Sequence, residues 1–371
     1  MSTFHPLKVA TVERIAEDAV CLTLAVPEAL REQFKFAAGQ YVPIRRSIGG
    51  REEQRTYSIV TAPGSAVLRL GVREQSNGRV SRDLARTLSP GDLLDVGRPL
   101  GRFRTDMDPA RSRSYVAFAA GSGITPILSL AADILGHEPR SRFTLIYGNR
   151  SIARTMFIED ILALKNRHLD RFAAHFIMSR EPQHAALLNG RLNGAKVHEL
   201  AGRIAGLATA DEYFICGPGT MVDEVRGTLQ RLNESAVMRV ERFASGAAAA
   251  RAAAAAREEP AAREGAAALE DAAAAQEALA TISIVMDGRR RSFPMSRRDA
   301  SVLEAAERAG LELPFSCRSG ICATCRARIL QGTAEMTHNI ALAPWEVEAG
   351  FVLCCQARPG SATLELTYDE K

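Results

Sequence analysis

Between residues 7 and 103 apolar and polar positions alternate in short runs: Leu7–Ile15, Ala19–Val26, Tyr41–Ile44, Thr56–Val60, Val67–Val72 and Leu93–Val96. A period of two suits strands with one buried face. Pro63-Gly64, Asn77-Gly78 and Pro90-Gly91 separate the runs as turns. The pattern predicts a small antiparallel β-barrel over 1–105. From Tyr115 onward strands and helices alternate. Strands are expected at Tyr115–Ala120, Phe143–Tyr147, Phe172–Met178 and Tyr213–Cys216. Helices are expected up to about Leu135, over Met156–Lys165 and over Met221–Leu232. That alternation predicts a parallel α/β layer over 106–243.

The pattern then stops. Residues 244–280 are more than half alanine, and an alanine face offers a core little to bury. Pro260 and Gly265 would interrupt a continuous helix. The stretch is expected to be a linker, reaching about 55 Å if wholly helical and about 30–35 Å as a flexible coil. Beyond it, Thr281–Met286 and Arg291–Met295 flank a hairpin turn, Asp287-Gly288. Ser301 is placed to cap a helix over Ser301–Ala309, with Gly310 as its stop. Strand-like segments follow at Arg326–Leu330 and Thr363–Thr367, giving an α+β unit over 281–371.

A chain of 371 residues fits two or three domains. Residues 1–243 hold 33 Lys+Arg against 26 Asp+Glu, so the basic excess precedes the alanine stretch. No basic cluster with interleaved aromatics marks a nucleic-acid surface. No apolar run reaches the roughly 18 residues of a membrane span. The start, Met1 to Pro6, lacks the layout of a signal peptide, so the expected location is cytoplasmic. Seven cysteines without a secretion signal argue against a disulfide framework, and five of them fall within 317–355.

Cys317, Cys322 and Cys325 form C-x4-C-x2-C, and Cys354-Cys355 follows at a distance. This is the plant-type [2Fe–2S] spacing, with small Ser319, Gly320 and Ala323 letting backbone N–H groups approach the sulfurs. Zinc more often uses paired C-x2-C knuckles. Arg55-Thr-Tyr57-Ser58 resembles the R-x-Y-S signature of the ferredoxin–NADP reductase superfamily, which implies a cation for a flavin phosphate, a ring for the isoalloxazine and a hydroxyl near its reactive nitrogen. Gly78-Arg79-Val80-Ser81 opens a helical segment, Ser81–Leu88, whose N–H groups suit a pyrophosphate. Gly121-Ser-Gly123-Ile-Thr125-Pro126 joins a strand to a helix, with Thr125 expected as the cap. Cys216-Gly217-Pro218 makes a similar turn. Cys216 alone reads as a small packing residue; beside the other motifs it reads as a wall of the nicotinamide pocket. The seven histidines show no ligand spacing.

These motifs resemble the ferredoxin–NADP reductase superfamily followed by a plant-type β-grasp ferredoxin domain, the layout of oxygenase reductases. Phe4–Ala10, Asp18–Val20, Phe143–Arg150, Phe214–Pro218 and Gly350–Leu353 narrow the resemblance to reductase subunits of phenylacetyl-CoA epoxidase complexes, in phenylacetate degradation. The resemblance implies FAD rather than FMN, Cys355 as fourth cluster ligand and Ser58 and Cys216 beside the reacting ring. It also implies electrons passing from NAD(P)H to FAD, to the cluster and on to a di-iron oxygenase. A reductase for another oxygenase or a hybrid-cluster protein, or a redox-sensing protein without turnover, are the alternatives. NADPH is expected over NADH. No carboxylate follows the second α/β strand, where an NAD-specific protein commonly places one. Arg150 ends that strand instead. Ser179-Arg180 at the third resembles a 2′-phosphate element. Taken singly, either arginine also reads as a solvated strand-end charge.

Overall fold

The computed structural model describes residues 4–76, 78–243, 278–315, 317–318, 320, 322–342 and 344–370. Two compact units emerge, residues 1–246 and 247–371. Among the described residues no helix is long and apolar enough to cross a membrane. Most of the expected linker, 244–277, and Ser319 lie outside the described residues, as does Asn77 of one expected turn.

The first unit opens with six antiparallel strands: β1 (Phe4–Ala16), β2 (Ala19–Ala25), β3 (Tyr41–Ile48), β4 (Arg51–Ser58), β5 (Val67–Arg73) and β6 (Leu93–Gly97). Their order is β4-β3-β6-β1-β2-β5. A bridge between Ile59 and Leu70 brings the two edges together, as barrel closure requires. Leu7, Leu22, Leu24, Ile44, Leu70 and Val96, all fully buried, fill the interior. Helix α1 (Arg79–Arg86) plugs one end with Val80 and Leu84. It begins two residues before the expected segment. Gly78, with extended backbone as N-cap, lets the chain turn there.

A five-stranded parallel sheet follows, built from β7 (Ser114–Ala120), β8 (Arg142–Asn149), β9 (Phe172–Met178), β10 (Glu212–Pro218) and β11 (Val237–Phe243) in the order β11-β10-β7-β8-β9. Helices α2 (Ile124–His137), α3 (Ile158–Arg167), α4 (Gly194–Ala201) and α5 (Gly219–Leu232) connect the strands. The alternating faces of each strand feed two cores. Tyr115, Phe143, Tyr147 and Phe214 pack on one side, and Phe118, Ile146, Tyr213 and Ile215 on the other. Both faces being buried explains why these strands read as near-continuous apolar runs. The first of these cores also takes in Ala19, Cys21, Ala38, Val60 and Phe103, so barrel and α/β layer share it.

The second unit pairs β12 (Ala278–Met286), β13 (Arg289–Ser296), β14 (Arg326–Gln331), β16 (Phe351–Leu353) and β18 (Thr363–Thr367) in the order β13-β12-β18-β14-β16, with β15 (Ala334–Met336) against β17 (Ala357–Pro359). Helix α6 (Val302–Arg308) lays Val302, Leu303, Ala305 and Ala306 into the core. Ser301 caps it by accepting from Glu304 N at 3.3 Å, and Gly310 ends it at φ +71°. Asp287 and Gly288 both have positive φ, 53° and 68°, as a two-residue hairpin turn requires. Strand β12 starts three residues inside the segment expected as linker, and Ala280 is buried in the core.

Candidate functional site

Strand β4 is an edge strand, and its period of two places Glu53, Arg55 and Tyr57 on one face. Arg55 Nη2 lies 3.1 Å from Glu53 Oε2, and Arg79 Nη1 lies 3.1 Å from Glu53 Oε1. Arg79 also donates to the Ile48 carbonyl at 2.7 Å. Two guanidinium groups from separate motifs thus share one carboxylate beside the α1 N-terminus. No side chain caps that terminus. A Cβ on Gly78 would sit 2.8 Å from Gln75 Cβ, so only glycine lets the loop close there. Paired cations and uncapped N–H groups form a donor set that fits a flavin pyrophosphate. Ser58 is buried, and burial pushes the Tyr57 hydroxyl well above the ordinary tyrosine range. Ser81 Oγ closes the loop, accepting from Gln75 N at 3.1 Å. The Val80 side chain lies in the barrel core, which leaves only its backbone for a ligand.

At the end of β7, Gly121–Gly123 makes one 3-10 turn, with Gly121 at φ +57°. A Cβ on Gly123 would sit 2.6 Å from the Cys216 carbonyl carbon, so the turns after β7 and β10 are in backbone contact. A Cβ on Gly217 would meet Met221 Cε at 2.4 Å and Ala120 Cβ at 3.2 Å. Thr125 is not the helix cap. The 3-10 turn starts the helix earlier, and Thr125 Oγ1, inside the first turn, donates back to Ser122 O at 2.9 Å. Register sets Cys216 between Ala119 and Glu241. Its sulfur lies 3.9 Å from Glu241 Oε2. Burial and that carboxylate raise the thiol's pKa, and burial pushes Glu241 up to about 8.

The ends of β8 and β9 lie side by side. Arg180 N donates to Arg150 O at 2.9 Å, and Ser179 donates to Asn149 O through N at 3.0 Å and Oγ at 3.2 Å. Arg150 is exposed, and its pKa falls through partial desolvation and the charges of Arg180, Arg154 and Arg73. Next to it Asn149 is 8 % exposed, and its amide has little beyond an interaction with the Tyr147 hydroxyl to satisfy it. The neighbouring Tyr147 hydroxyl is committed to Gly121 O at 2.8 Å. A buried, under-bonded amide beside a knot of arginines fits a polar, anionic ligand at the strand ends. From the sequence Glu53, Asn149 and Glu241 carried no assigned role. The letters Gly148-Asn149-Arg150 were visible, but the burial that leaves the amide under-bonded was not.

In the second unit the cysteine loop crosses the left-handed region at Arg318, Gly320 and Ala323, with φ of 52°, 72° and 53°. A Cβ on Gly320 would meet His338 O at 2.6 Å. Cys355's thiol is within hydrogen-bonding reach of Cys317 and Cys325, and Cys322's is within reach of Cys317. Cys317 and Cys325 raise the pKa of Cys355, and Cys317 raises that of Cys322, with burial adding to both. Such mutual opposition to ionisation is relieved by binding to cationic iron, so the thiol set fits a cluster. Among the described residues no three candidate ligands close on a single ion. A binuclear cluster needs no such trio, since each iron takes two thiolates and two sulfides. Cys354 faces away: it is wholly buried, interacts with Tyr368, and its N donates to Cys325 O at 2.9 Å.

Family patterns described as oxidoreductase FAD-binding domain, oxidoreductase NAD-binding domain and 2Fe-2S iron-sulfur cluster binding domain match residues 6–105, 118–227 and 284–360. The solved phthalate dioxygenase reductase shares the fold at a TM-score of 0.56 and 24% identity, covering 98% of each chain. The chain is an electron-transfer reductase carrying FAD, nicotinamide-nucleotide and [2Fe–2S] domains. It belongs to a family of 1,2-phenylacetyl-CoA epoxidase subunits, being 36% identical to the Escherichia coli K12 member over all of this chain and 99% of the relative. The ferredoxin reductase component of a Rhodococcus rhodochrous 3-ketosteroid-9-alpha-monooxygenase is 27% identical over 98% and 96% of the two chains.

Proposed function

We propose that this reductase draws electrons from NADPH and delivers them to a di-iron oxygenase that epoxidises phenylacetyl-CoA. When bound, FAD takes up two electrons from the nucleotide and the [2Fe–2S] cluster hands them on singly. Arg55 and Arg79 would hold the flavin phosphates, with Glu53 between them fixing the two guanidinium groups. Tyr57 packs along the ring system, and Ser58 sets its hydroxyl beside the reacting nitrogen. Gly121 and Gly123 let the nucleotide pyrophosphate approach the backbone. Cys216 and Gly217 wall the nicotinamide pocket, with Glu241 behind the thiol. Cys317, Cys322, Cys325 and Cys355 hold the irons. On this reading the flavin and nucleotide domains run 1–105 and 106–243, the cluster domain starts with β12 at Ala278, a tether joins them, and the site of action is the cytoplasm.

The observation that carries the nucleotide choice is the convergence of Arg150, Arg154 and Arg180 at the ends of β8 and β9, where the carboxylate that acts on Arg150, Asp18, is already held by Arg73 and Arg154. A 2′-phosphate placed there gains charge-assisted bonds of about 1.5–3 kcal/mol each. Full-length similarity to the epoxidase component supports the partner. The test is reconstitution with purified oxygenase subunits of a phenylacetyl-CoA epoxidase. NADPH should support epoxide formation, and Arg180→Ala should raise KM for NADPH about ten-fold while barely moving that for NADH. Equal wild-type kcat/KM for the two nucleotides overturns the nucleotide choice. Reduced reductase without epoxide overturns the partner.

A further inference from the structure

Strand β5 presents two different faces. Leu68, Leu70 and Val72 fill the barrel interior. The opposite row, Arg69, Gly71 and Arg73, faces the α/β layer, and each member meets it. Arg69 Nη1 lies 2.6 Å from Asp160 Oδ1 on α3, and its Cζ lies 5.7 Å from the Phe157 ring centroid. Arg73 donates to the Arg154 carbonyl and lies 3.3 Å from Asp18, which Arg154 also grips. Between these clamps a Cβ on Gly71 would stand 2.7 Å from Phe157 Cε2, 2.7 Å from Thr125 Cγ2 and 3.0 Å from Met156 Cε. Three side chains of the nucleotide layer therefore enter one notch in the flavin barrel.

Gly71 does not have a positive φ, so its backbone conformation does not demand glycine. Space does. Cys21 pairs with Gly71 across the strands and Ala19 pairs with Arg73, so small residues surround the notch on the barrel side. Phe157 has the opposite character. It is 1 % exposed and sits at φ 58°, a left-handed conformation that bulky residues avoid unless their surroundings impose it. Thr125 joins this joint to the site, because it lies two residues after Gly123 in the turn that receives the nucleotide.

We propose that Gly71 and Phe157 are positioning residues, a notch and its plug that set the nucleotide layer against the flavin barrel and thereby the distance between nicotinamide and flavin. This rests on the reading that a nucleotide bound at Gly121–Gly123 reduces the flavin. A methyl group at position 71 cannot be absorbed by the Phe157 ring or the branched Thr125, so the layer must lift. A misplacement near 1 Å can cost on the order of 100-fold in rate. Arg150 and Arg180, at the ends of β8 and β9, take no part in the contacts around Gly71, so binding through them is left in place.

The test uses the full, cofactor-loaded chain. Gly71→Ala should slow stopped-flow reduction of the flavin by NADPH ten-fold or more, with KM for NADPH within about two-fold of wild type. The long-wavelength charge-transfer absorbance of stacked nicotinamide and flavin should weaken with it. Thermal unfolding gives a readout independent of activity. Gly71→Ala should lower Tm, and adding Phe157→Leu should restore at least half of the loss, since contacting residues are not additive. Wild-type reduction rates in Gly71→Ala, or Tm losses that simply add, overturn the inference. If Gly71→Ala does not fold, Phe157→Leu alone decides: several-fold slower reduction at unchanged KM supports the seat, and an unchanged rate overturns it. A wild-type flavin that no nicotinamide nucleotide reduces overturns the functional reading itself, while the Tm cycle still reports on the contact.

Discussion

Cys216 and Glu241 stand opposite each other on adjacent parallel strands, a pairing that needs the register of β10 and β11 and is invisible in either segment alone. Burial lifts the Glu241 carboxyl from its ordinary 4.5 to about 8. Between those values the folded chain holds a proton that the unfolded chain has released. Glu241 therefore erodes stability as pH rises from about 4.5 towards 8, and the penalty is constant above that. Glu241→Gln removes the titration. Its Tm relative to wild type should climb between pH 5 and pH 8, and a difference independent of pH would show the carboxyl to be ordinary. Other residues were legible for chemical reasons. Four cysteines at ferredoxin spacing have few other uses, and an arginine ahead of Tyr-Ser on a strand suits a flavin phosphate. Glu53 was not legible, because its meaning lies in two arginines 2 and 26 positions away meeting at one carboxylate.

At the level of elements, strands buried on one or both faces announced themselves, and so did the Asp287-Gly288 turn. Helix α4 did not. It is only eight residues long and buries little beyond Val197 and Leu200, too few to print a helical period, although Asn193 caps it by accepting from Lys196 N at 2.9 Å. Strand β11 was also missed. It is a half-exposed edge strand with no fully buried residue, so its pattern is blurred. Ends shifted where a local bond outweighed propensity, as at Thr125. The short β16 shows the precision that pairing adds. Leu353 opposite Arg326, followed by the Cys354 N–H bond to Cys325 O, turns Cys354 inward and Cys355 towards the loop. Cys355→Ser should bleach the iron–sulfur absorption and Cys354→Ser should leave it intact. Loss of the cluster in Cys354→Ser alone would mean that the chain end is turned the other way.

For the whole molecule, the order of barrel, parallel sheet and ferredoxin-like unit was legible, because each has its own hydrophobic period and its own motif. The shared core of the first unit was not. Ala19, Cys21 and Gly71 read as unremarkable barrel residues until Phe157 and Met156 are seen packed against them. That core makes flavin and nucleotide halves one body, whereas the cluster domain carries its own separate core. We propose a continuous electron route from a nicotinamide nucleotide, NADPH on our reading, through the flavin to the cluster within this one chain. Anaerobic titration of the purified, cofactor-loaded protein with NADPH, followed by electron paramagnetic resonance, measures it directly. The account predicts that the signal of a reduced [2Fe–2S] cluster rises as flavin absorbance bleaches, and that Cys355→Ser abolishes the signal but not the bleaching. A flavin that bleaches in the wild type while its intact cluster stays silent would contradict it.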